Sequence, residues 1–173
     1  TILRGLAVQP DGKIVIVGHF REYSGVARNH IARLNPDGSL DLTFNPGTGA
    51  DKTLWAVEIQ TDGKVLIGGE MSQYNNQTRN LAARLNPDGS LDNTFFSGSG
   101  FLGGALIVDD FLVQPDNRVI VAGDFTEYNG VNRQRMARFH ATPASGPPKI
   151  LTQPQSQAAV RGKALTLSVT AGG

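Results

Sequence analysis

The sequence contains no cysteine, and this absence excludes several kinds of chemistry at once. Disulfides, thiol nucleophiles and cysteine-ligated zinc are ruled out. Long apolar runs are also missing, since none reaches the roughly 18 residues that a membrane-spanning helix needs. We therefore expect no insertion into a membrane and no thiol-based site.

A charge excess of one sign is lacking as well. The 173 residues carry 16 Lys and Arg against 15 Asp and Glu, a formal net charge of +1. Because binding to a phosphate backbone needs a basic excess, this balance argues against nucleic acid as a partner.

No Gly-x-Ser-x-Gly, His-Glu-x-x-His or Walker sequence occurs. We therefore expect no enzyme, no catalytic residues, no bound metal and no cofactor.

What the sequence does contain is an internal repeat, which sets the whole interpretation. Residues 32–41 recur without change as residues 83–92, which lie 51 positions later. The segment Gln-Pro-Asp-Gly-Lys at residues 9–13 recurs in altered form as 60–64, and again 54 positions later as 114–118. An identical ten-residue match at one spacing indicates a repeated structural unit.

Each copy predicts four short antiparallel strands rich in Ile and Val, and no stretch shows the periodicity of a helix. The Pro-Asp-Gly turn folds the strands back, because Gly12 adopts the positive φ that closes a three-residue hairpin. Asn117 takes that position in the third copy, and Asn is the next best residue for positive φ. The predicted strands of the first copy are residues 3–8, 13–17, 29–34 and 40–44.

Four antiparallel strands every 51 to 54 residues are typical of a β-propeller blade, with a solenoid as the less favoured alternative. Residues 9–18, with the run Gln-Pro-Asp-Gly-Lys-Ile-Val-Ile-Val-Gly, and residues 33–44 resemble the delta-60 repeat family. The resemblance covers about residues 1–140, although Thr61 replaces the turn proline and His140 begins a departure from Asn-Pro. That family occurs in large secreted or surface proteins of bacteria, so the resemblance implies a partial propeller that is secreted or on the cell surface.

The domain organisation follows from these patterns. The chain begins without Met and ends within a pattern, so we expect a piece of a longer protein. Three blades do not normally close a ring, so we expect an upstream Leu-Asp-x-Thr-Phe strand to complete the third. The alternating segment at the end resembles the start of a cysteine-free, immunoglobulin-like sandwich. The predicted parts are a propeller domain over 1–141 with blades 1–46, 47–97 and 98–141, a linker over 142–148, and the immunoglobulin-like segment over 149–173.

Residues that break the repeat are the candidates for binding, because repetition does not explain them. Arg4, Trp55 and Asp109 occupy one aligned position on the inner strands, and Glu58 lies three residues after Trp55. A Trp beside guanidinium and carboxylate groups is typical of a surface that binds a sugar or peptide. The alternative is that residue types at these positions vary between the repeats simply because the positions are exposed to solvent. The matching polar residues that follow the second strand are His19, Glu70 and Asp124.

Residues that keep the repeat receive a structural interpretation. We expect each repeated arginine to form one ion pair or carbonyl contact in its own blade. We expect each repeated tyrosine to pack against the long loop between the second and third strands, residues 19–26 in the first copy, with its hydroxyl bonded. We also expect His30 to be exposed. The repeated residues are Arg28, Arg79 and Arg133, Arg33, Arg84 and Arg138, and Tyr23, Tyr74 and Tyr128.

Calcium is a weaker alternative suggested by oxygen-bearing residues at alternate positions in two turns. The segments are too short for a calcium loop and lack its terminal Glu, and a Pro-Asp-Gly turn explains most of the same residues. The candidate ligands are Asn35, Asp37, Asp41, Asn86, Asp88 and Asp92.

The sequence favours a non-catalytic binding or display module of a large secreted or cell-surface protein. Its partners would be other domains of the same chain, and an extracellular protein or glycan. A carbohydrate-active propeller enzyme is one alternative, motivated by Asp109 and Asp110, although adjacent residues on a strand point to opposite faces. A purely structural repeat scaffold is the other.

Overall fold

The computed structural model describes residues 2–96 and 98–140, and every regular element among them is a β-strand. None of these residues belongs to a helix long and apolar enough to span a membrane. The predicted linker over 142–148 and the immunoglobulin-like segment over 149–173 lie outside the described residues.

The strands follow the repeat. The first repeat contains β1 (Ile2–Val8), β2 (Ile14–His19), β3 (Glu22–Tyr23), β4 (Val26–Ala27) and β5 (Ile31–Leu34). The second contains β6 (Leu54–Ile59), β7 (Val65–Gly69), β8 (Gln73–Tyr74), β9 (Gln77–Thr78) and β10 (Ala82–Leu85). The third contains β11 (Phe101–Leu102), β12 (Ile107–Val113), β13 (Arg118–Asp124), β14 (Glu127–Tyr128), β15 (Val131–Asn132) and β16 (Met136–His140).

Each repeat forms one main antiparallel sheet of three strands, in the orders β1-β2-β5, β6-β7-β10 and β12-β13-β16. The prediction of a fourth strand at residues 40–44 was therefore wrong. Leu40 makes a single bridge to Leu34, and Asp41 then accepts hydrogen bonds at Oδ1 from the Thr43 backbone N (2.9 Å) and Oγ1 (2.7 Å). Such a local side-chain bond stabilises a turn in place of a sheet ladder, so the strand ends after one residue.

The turns between the first two strands confirm the prediction made from Pro-Asp-Gly. Gly12 has φ of 82° and its N–H donates to the Gln9 carbonyl at 2.9 Å, while Gln9 N donates to Lys13 O at 2.8 Å. Asn117 takes the same conformation in the third repeat, with φ of 66°. A two-residue turn with positive φ, Ser24-Gly25, also closes a small hairpin, β3–β4, inside the segment predicted as a long loop.

A β-bulge interrupts the first strand of each main sheet at the same place. The pairing register shifts between Leu3 and Gly5, and the shift recurs in the other two repeats around Trp55 and Asp109. The second strand presents a glycine opposite each bulge, because a side chain there has no room. A Cβ on Gly69 would overlap the carbonyl oxygen of Thr53.

The hydrophobic core lies between successive sheets. Val17 and Ile31 of the first sheet form one cluster with Leu54 and Ile67 of the second. A second cluster joins the second and third sheets and is rich in phenylalanine, with Phe139 contacting several other rings. The sheets therefore pack face to face in chain order, and this brings the three bulges to the same end.

Candidate ligand-binding site

The bulge end of the sheets carries the residues that break the repeat. Arg4, Trp55 and Asp109 are the extra residues of the three bulges. Because the second strand runs antiparallel to the first, the residues at its end, such as His19 and Glu70, lie at the same end. Bulges re-aim side chains, and they occur often beside binding and active sites.

Arg4, Trp55 and Glu70 form one contact cluster, which we call the Trp55 cluster. The guanidinium carbon of Arg4 lies 4.3 Å from the centroid of the Trp55 ring, a cation–π contact between the first and second repeats. The indole Nε1–H donates to Glu70 Oε1 at 3.1 Å. Trp55 and Glu70 are half-buried and Arg4 is exposed. The indole ring is thus held in place by two charged groups and remains partly open to solvent.

His19 lies beside this cluster without joining it. Its Nδ1 is 3.0 Å from Thr53 Oγ1, which connects the end of β2 to the start of the second repeat. Its ring centroid is 5.6 Å from that of His30.

The prediction that His30 is exposed was wrong, because the residue is buried. Its backbone has φ of 67°, with N–H donated to Phe20 O at 2.9 Å and C=O accepting from Gly18 N at 3.1 Å. The ring Nδ1 lies 3.0 Å from Gly18 O, a carbonyl that accepts only a hydrogen bond. Burial lowers the pKa of His30, against the opposing effect of this bond, so the neutral ring is favoured.

The other predicted binding residues occupy separate places. The Asp124 carboxylate lies 3.8 Å from Arg135 Nε in an exposed ion pair. Asp109 is exposed, and its side chain bonds to none of the described residues. Glu58 is half-buried, and burial raises its pKa, with the nearby charge of Asp110 adding to the effect. The structure therefore brings together Arg4, Trp55 and Glu70, but not the whole predicted set.

Arg33 and Arg84 have the structural role that we expected of the repeated arginines. Arg33 Nε donates to Asp41 Oδ2 at 2.7 Å, and Lys13 Nζ donates to the same oxygen at 2.9 Å. Arg33 also donates from Nη1 to Pro87 O at 2.6 Å, which ties the first repeat to the second. Arg84, Asp92 and Lys64 repeat the ion pairs at 2.8 and 2.9 Å. For Arg138 no carboxylate of the described residues lies within ion-pair distance.

Backbone carbonyls accept hydrogen bonds from five of the other six repeated residues. Arg28 donates to Ala27 O at 2.9 Å, and its counterparts Arg79 and Arg133 donate to the preceding carbonyl in the same way. The hydroxyls of Tyr23 and Tyr74 donate to Gly38 O and Gly89 O, each at 3.0 Å. Repetition at these positions reflects the architecture of the sheet.

The oxygen atoms that suggested calcium are bonded to protein donors. Asp37 accepts from the backbone N and the Oγ of Ser39, and Asp88 does the same with Ser90. Asn35 and Asn86 each donate to the same serine hydroxyls. Asp41 and Asp92 serve the ion pairs, and no group of three or more His, Asp or Glu among the described residues is placed to hold a metal ion. The turns alone explain this pattern.

The sequence interpretation missed a polar cleft of about 290 Å³ between the first and second repeats. Several of its residues also break the repeat, but they lie in separate loops, and only the fold shows that these loops are neighbours. The side chains that line it flank the β3–β4 hairpin, or belong to the β8–β9 hairpin and the connection before β6: Arg21, Asn29, Thr48, Asp51, Gln73 and Asn76.

Comparison with known families gives one result. A model of a β-propeller domain of unknown function, DUF5122, matches residues 9–44, 60–95 and 114–142, which together make up more than half of the chain. Each match begins at the turn after the first strand of a repeat. A comparison with curated proteins gives no match. Because the family model matches more than half of the chain, and the antiparallel sheets agree with it, the chain belongs to the DUF5122 β-propeller family.

Proposed function

We propose that this chain is a non-catalytic binding module and that the Trp55 cluster binds a glycan. The observation that carries the proposal is that Trp55 is the only tryptophan of the chain and stands at a bulge that the other repeats fill with Arg4 and Asp109. A residue needed for the bulge itself would recur, as the opposing glycine does.

The chemistry of the cluster suits a sugar. An indole ring presents an apolar face to the C–H groups of a pyranose, and the flanking guanidinium and carboxylate bond its hydroxyls. Glu70 accepts one hydrogen bond from the indole at Oε1, and Oε2 has no partner among the described residues. Arg4 is exposed and holds the ring by cation–π contact alone. The cluster thus combines a fixed ring with unused polar groups.

The wider setting forms part of the same proposal. We assign the repeats to the delta-60 type on the runs at residues 9–18 and 33–44, within a ring that contains further blades. Residues 149–173 would begin an immunoglobulin-like domain of the same protein, which would be secreted or on the cell surface. The other domains of that protein would be its structural partners.

Trp55 fluorescence tests the proposal directly, because no other tryptophan contributes to the emission. A panel of soluble neutral and acidic oligosaccharides is titrated into the whole chain. We expect at least one to shift or quench the emission saturably, and Glu70→Gln to weaken that binding. If no oligosaccharide changes the emission, the glycan proposal fails.

One observation favours a second candidate, a propeller-type carbohydrate-active enzyme. Burial and Asp110 raise the pKa of Glu58, as a general acid requires. The bulge at Asp109 also interrupts the alternation that would place it and Asp110 on opposite faces. Release of reducing sugar from the same panel, lost in Glu58→Gln, would establish this candidate. In a purely structural scaffold, changes at Arg4, Trp55 or Glu58 would alter only stability.

A further inference from the structure

The polar cleft between the first and second repeats is built by a repeated hydrogen-bond junction. Asn29 Nδ2 donates to Thr48 O at 2.8 Å, and Thr48 N donates to Asn75 Oδ1 at 3.2 Å. In the next junction Asn80 likewise donates to Ser99 O at 2.7 Å. The backbone bond from Asn75 N to Gly49 O (2.8 Å) also recurs there, from Asn129 N to Gly100 O (3.0 Å). The backbone of the two junctions is therefore matched, and their side chains can be compared position by position.

The side chains of the cleft differ from those of its counterpart. Ser72 stands at the position of Arg21 in the next repeat, and Leu102 follows Phe101 where Asp51 follows Ala50. Asn76 is replaced by glycine in both other repeats, at residues 25 and 130. These departures place a guanidinium, a carboxylate and a carboxamide at the first junction, where the next junction carries a hydroxyl, an apolar side chain and a glycine. Arg21 and Asn76 take no part in the hydrogen bonds that the two junctions share.

Asp51 is a structural part of the cleft. Its Oδ1 accepts from the backbone N of Ser72 and of Gln73, each at 2.9 Å, and its Oδ2 accepts from Ser72 Oγ. These bonds fix the β8–β9 hairpin against the connection before β6. Both carboxylate oxygens are thereby engaged with the protein.

Arg21, Gln73 and Asn76 have exposed side chains that form no hydrogen bond or ion pair with the described residues. A guanidinium binds a carboxylate through two parallel hydrogen bonds. A carboxamide both donates and accepts, as a sugar hydroxyl does. The cleft has no aromatic lining, and its volume of about 290 Å³ suits a ligand the size of one sugar residue.

We propose that this cleft binds a sugar acid, a single carboxylate-bearing monosaccharide unit. Arg21 takes the carboxylate, and Gln73 and Asn76 take the hydroxyls. The site is separate from the Trp55 cluster and does not depend on that proposal, although both lie at the bulge end of the sheets.

Sodium glucuronate is the probe, titrated into the isotope-labelled whole chain and followed by the side-chain NMR signals of Arg21, Gln73 and Asn76. Arg21→Ser and Asn76→Gly are the test variants, because each introduces the residue that another repeat carries at that position. Arg118→Ser is the control, since it removes a guanidinium from the turn at the opposite end of the sheets, where Arg118 is half-buried and paired with Asp116.

We expect glucuronate to shift all three signals saturably, and Arg21→Ser to weaken binding about tenfold or more, as loss of a charged hydrogen-bond partner does. Asn76→Gly should weaken it severalfold, while Arg118→Ser should leave it unchanged. Glucose and acetate should each bind more weakly than glucuronate, because each lacks half of the recognised groups. The proposal is overturned if glucuronate gives no shift up to about 50 mM, where even a millimolar site is nearly saturated. It is also overturned if acetate binds as well as glucuronate, or if Arg21→Ser has no effect.

Discussion

Arg84 and Asp92 form a buried ion pair, with Nε 2.8 Å from Oδ2 and both side chains at most 5% exposed. The Arg84 guanidinium also lies over the Phe95 ring, with its carbon 4.0 Å from the ring centroid. These contacts hold the segment after β10 against the sheet, although that segment does not form a further strand.

Removing the acid of this pair should be costly, because it leaves a guanidinium buried without its counterion. We expect Asp92→Ala to lower the free energy of unfolding by about 3–5 kcal/mol, the usual effect of breaking a buried pair. Asp88→Ala is the matched control four residues earlier, where the carboxylate is exposed and bonds only within its turn. Equal losses in urea denaturation of the two variants would contradict this account.

Acid should destabilise the protein through Asp41 and Asp92. Burial by itself raises the pKa of each carboxyl, but hydrogen bonds from a lysine, a threonine and the paired arginine outweigh it and hold the pKa well below its usual range. A pKa lowered in the folded state contributes stability that is present above the unfolded value, about 3.9, and is lost as the pH falls through the folded value. We expect the unfolding free energy to decline below about pH 4 on this account. Asp41→Asn combined with Asp92→Asn should flatten the decline, measured by denaturation at a series of pH values.

Protonation of His30 should also lower the unfolding free energy, and at a higher pH than protonation of Asp41 and Asp92 does. Burial lowers its pKa from the ordinary 6.5, so its contribution is present above that value and declines as the pH falls below it. His30→Leu should remove this step, because Leu81 occupies the same position with a similar φ, 69° against 67°. A decline between pH 6.5 and 5 that persists unchanged in the variant would show that another group is responsible.

The glycine opposite each bulge should be intolerant of any side chain. Gly69→Ala places a Cβ against Thr53 O, so the bulge must open, and we expect a loss of more than about 2 kcal/mol together with a change in Trp55 emission. Gly25→Ala meets no atom within 4 Å and should cost only about 1 kcal/mol for its positive φ. Thermal denaturation of both variants checks the ranking, and a smaller loss for Gly69→Ala would refute the steric explanation.

The first sheet exposes apolar residues at positions whose counterparts in the second sheet are more buried. Leu6 and Val8 are 64% and 61% exposed, whereas Val57, at the position of Leu6 in the next repeat, is 9% exposed. Exposed apolar patches promote association, so we expect the chain to self-associate reversibly at high concentration. Leu6→Lys with Val8→Lys should reduce the mass measured by light scattering to that of a monomer. An unaltered chain that is strictly monomeric at the same concentrations would contradict the prediction.

Some of this structure was predictable because it depends on local chemistry. The Pro-Asp-Gly turn, its Asn117 variant and the ion-pair role of Arg33 all follow from short-range patterns and exact repetition. The alignment also singled out Trp55, although not the bulge that positions it, because register is set by pairing with another strand.

The errors have equally physical causes. Residues 40–44 have strand-like composition, but the Asp41 side chain captures Thr43 and turns the backbone. His30 has positive φ like Leu81 and Arg135, three chemically unrelated residues, so no residue preference signals that conformation. The polar cleft joins loops of two repeats and is visible only once those loops are placed.

The most direct test of the central proposal is a printed glycan array probed with three forms of the whole chain. The unaltered chain is compared with Trp55→Asp, which introduces the residue that the third repeat carries at its bulge, and with Leu112→Asp, which changes an exposed apolar residue elsewhere on an inner strand. We predict a defined set of glycans bound by the unaltered chain and by Leu112→Asp, and at least tenfold weaker binding by Trp55→Asp, as expected when about 1.4 kcal/mol or more of contact energy is lost. Binding that survives intact in Trp55→Asp, or no binding by the unaltered chain, would contradict the proposal that the Trp55 cluster is a glycan-binding site.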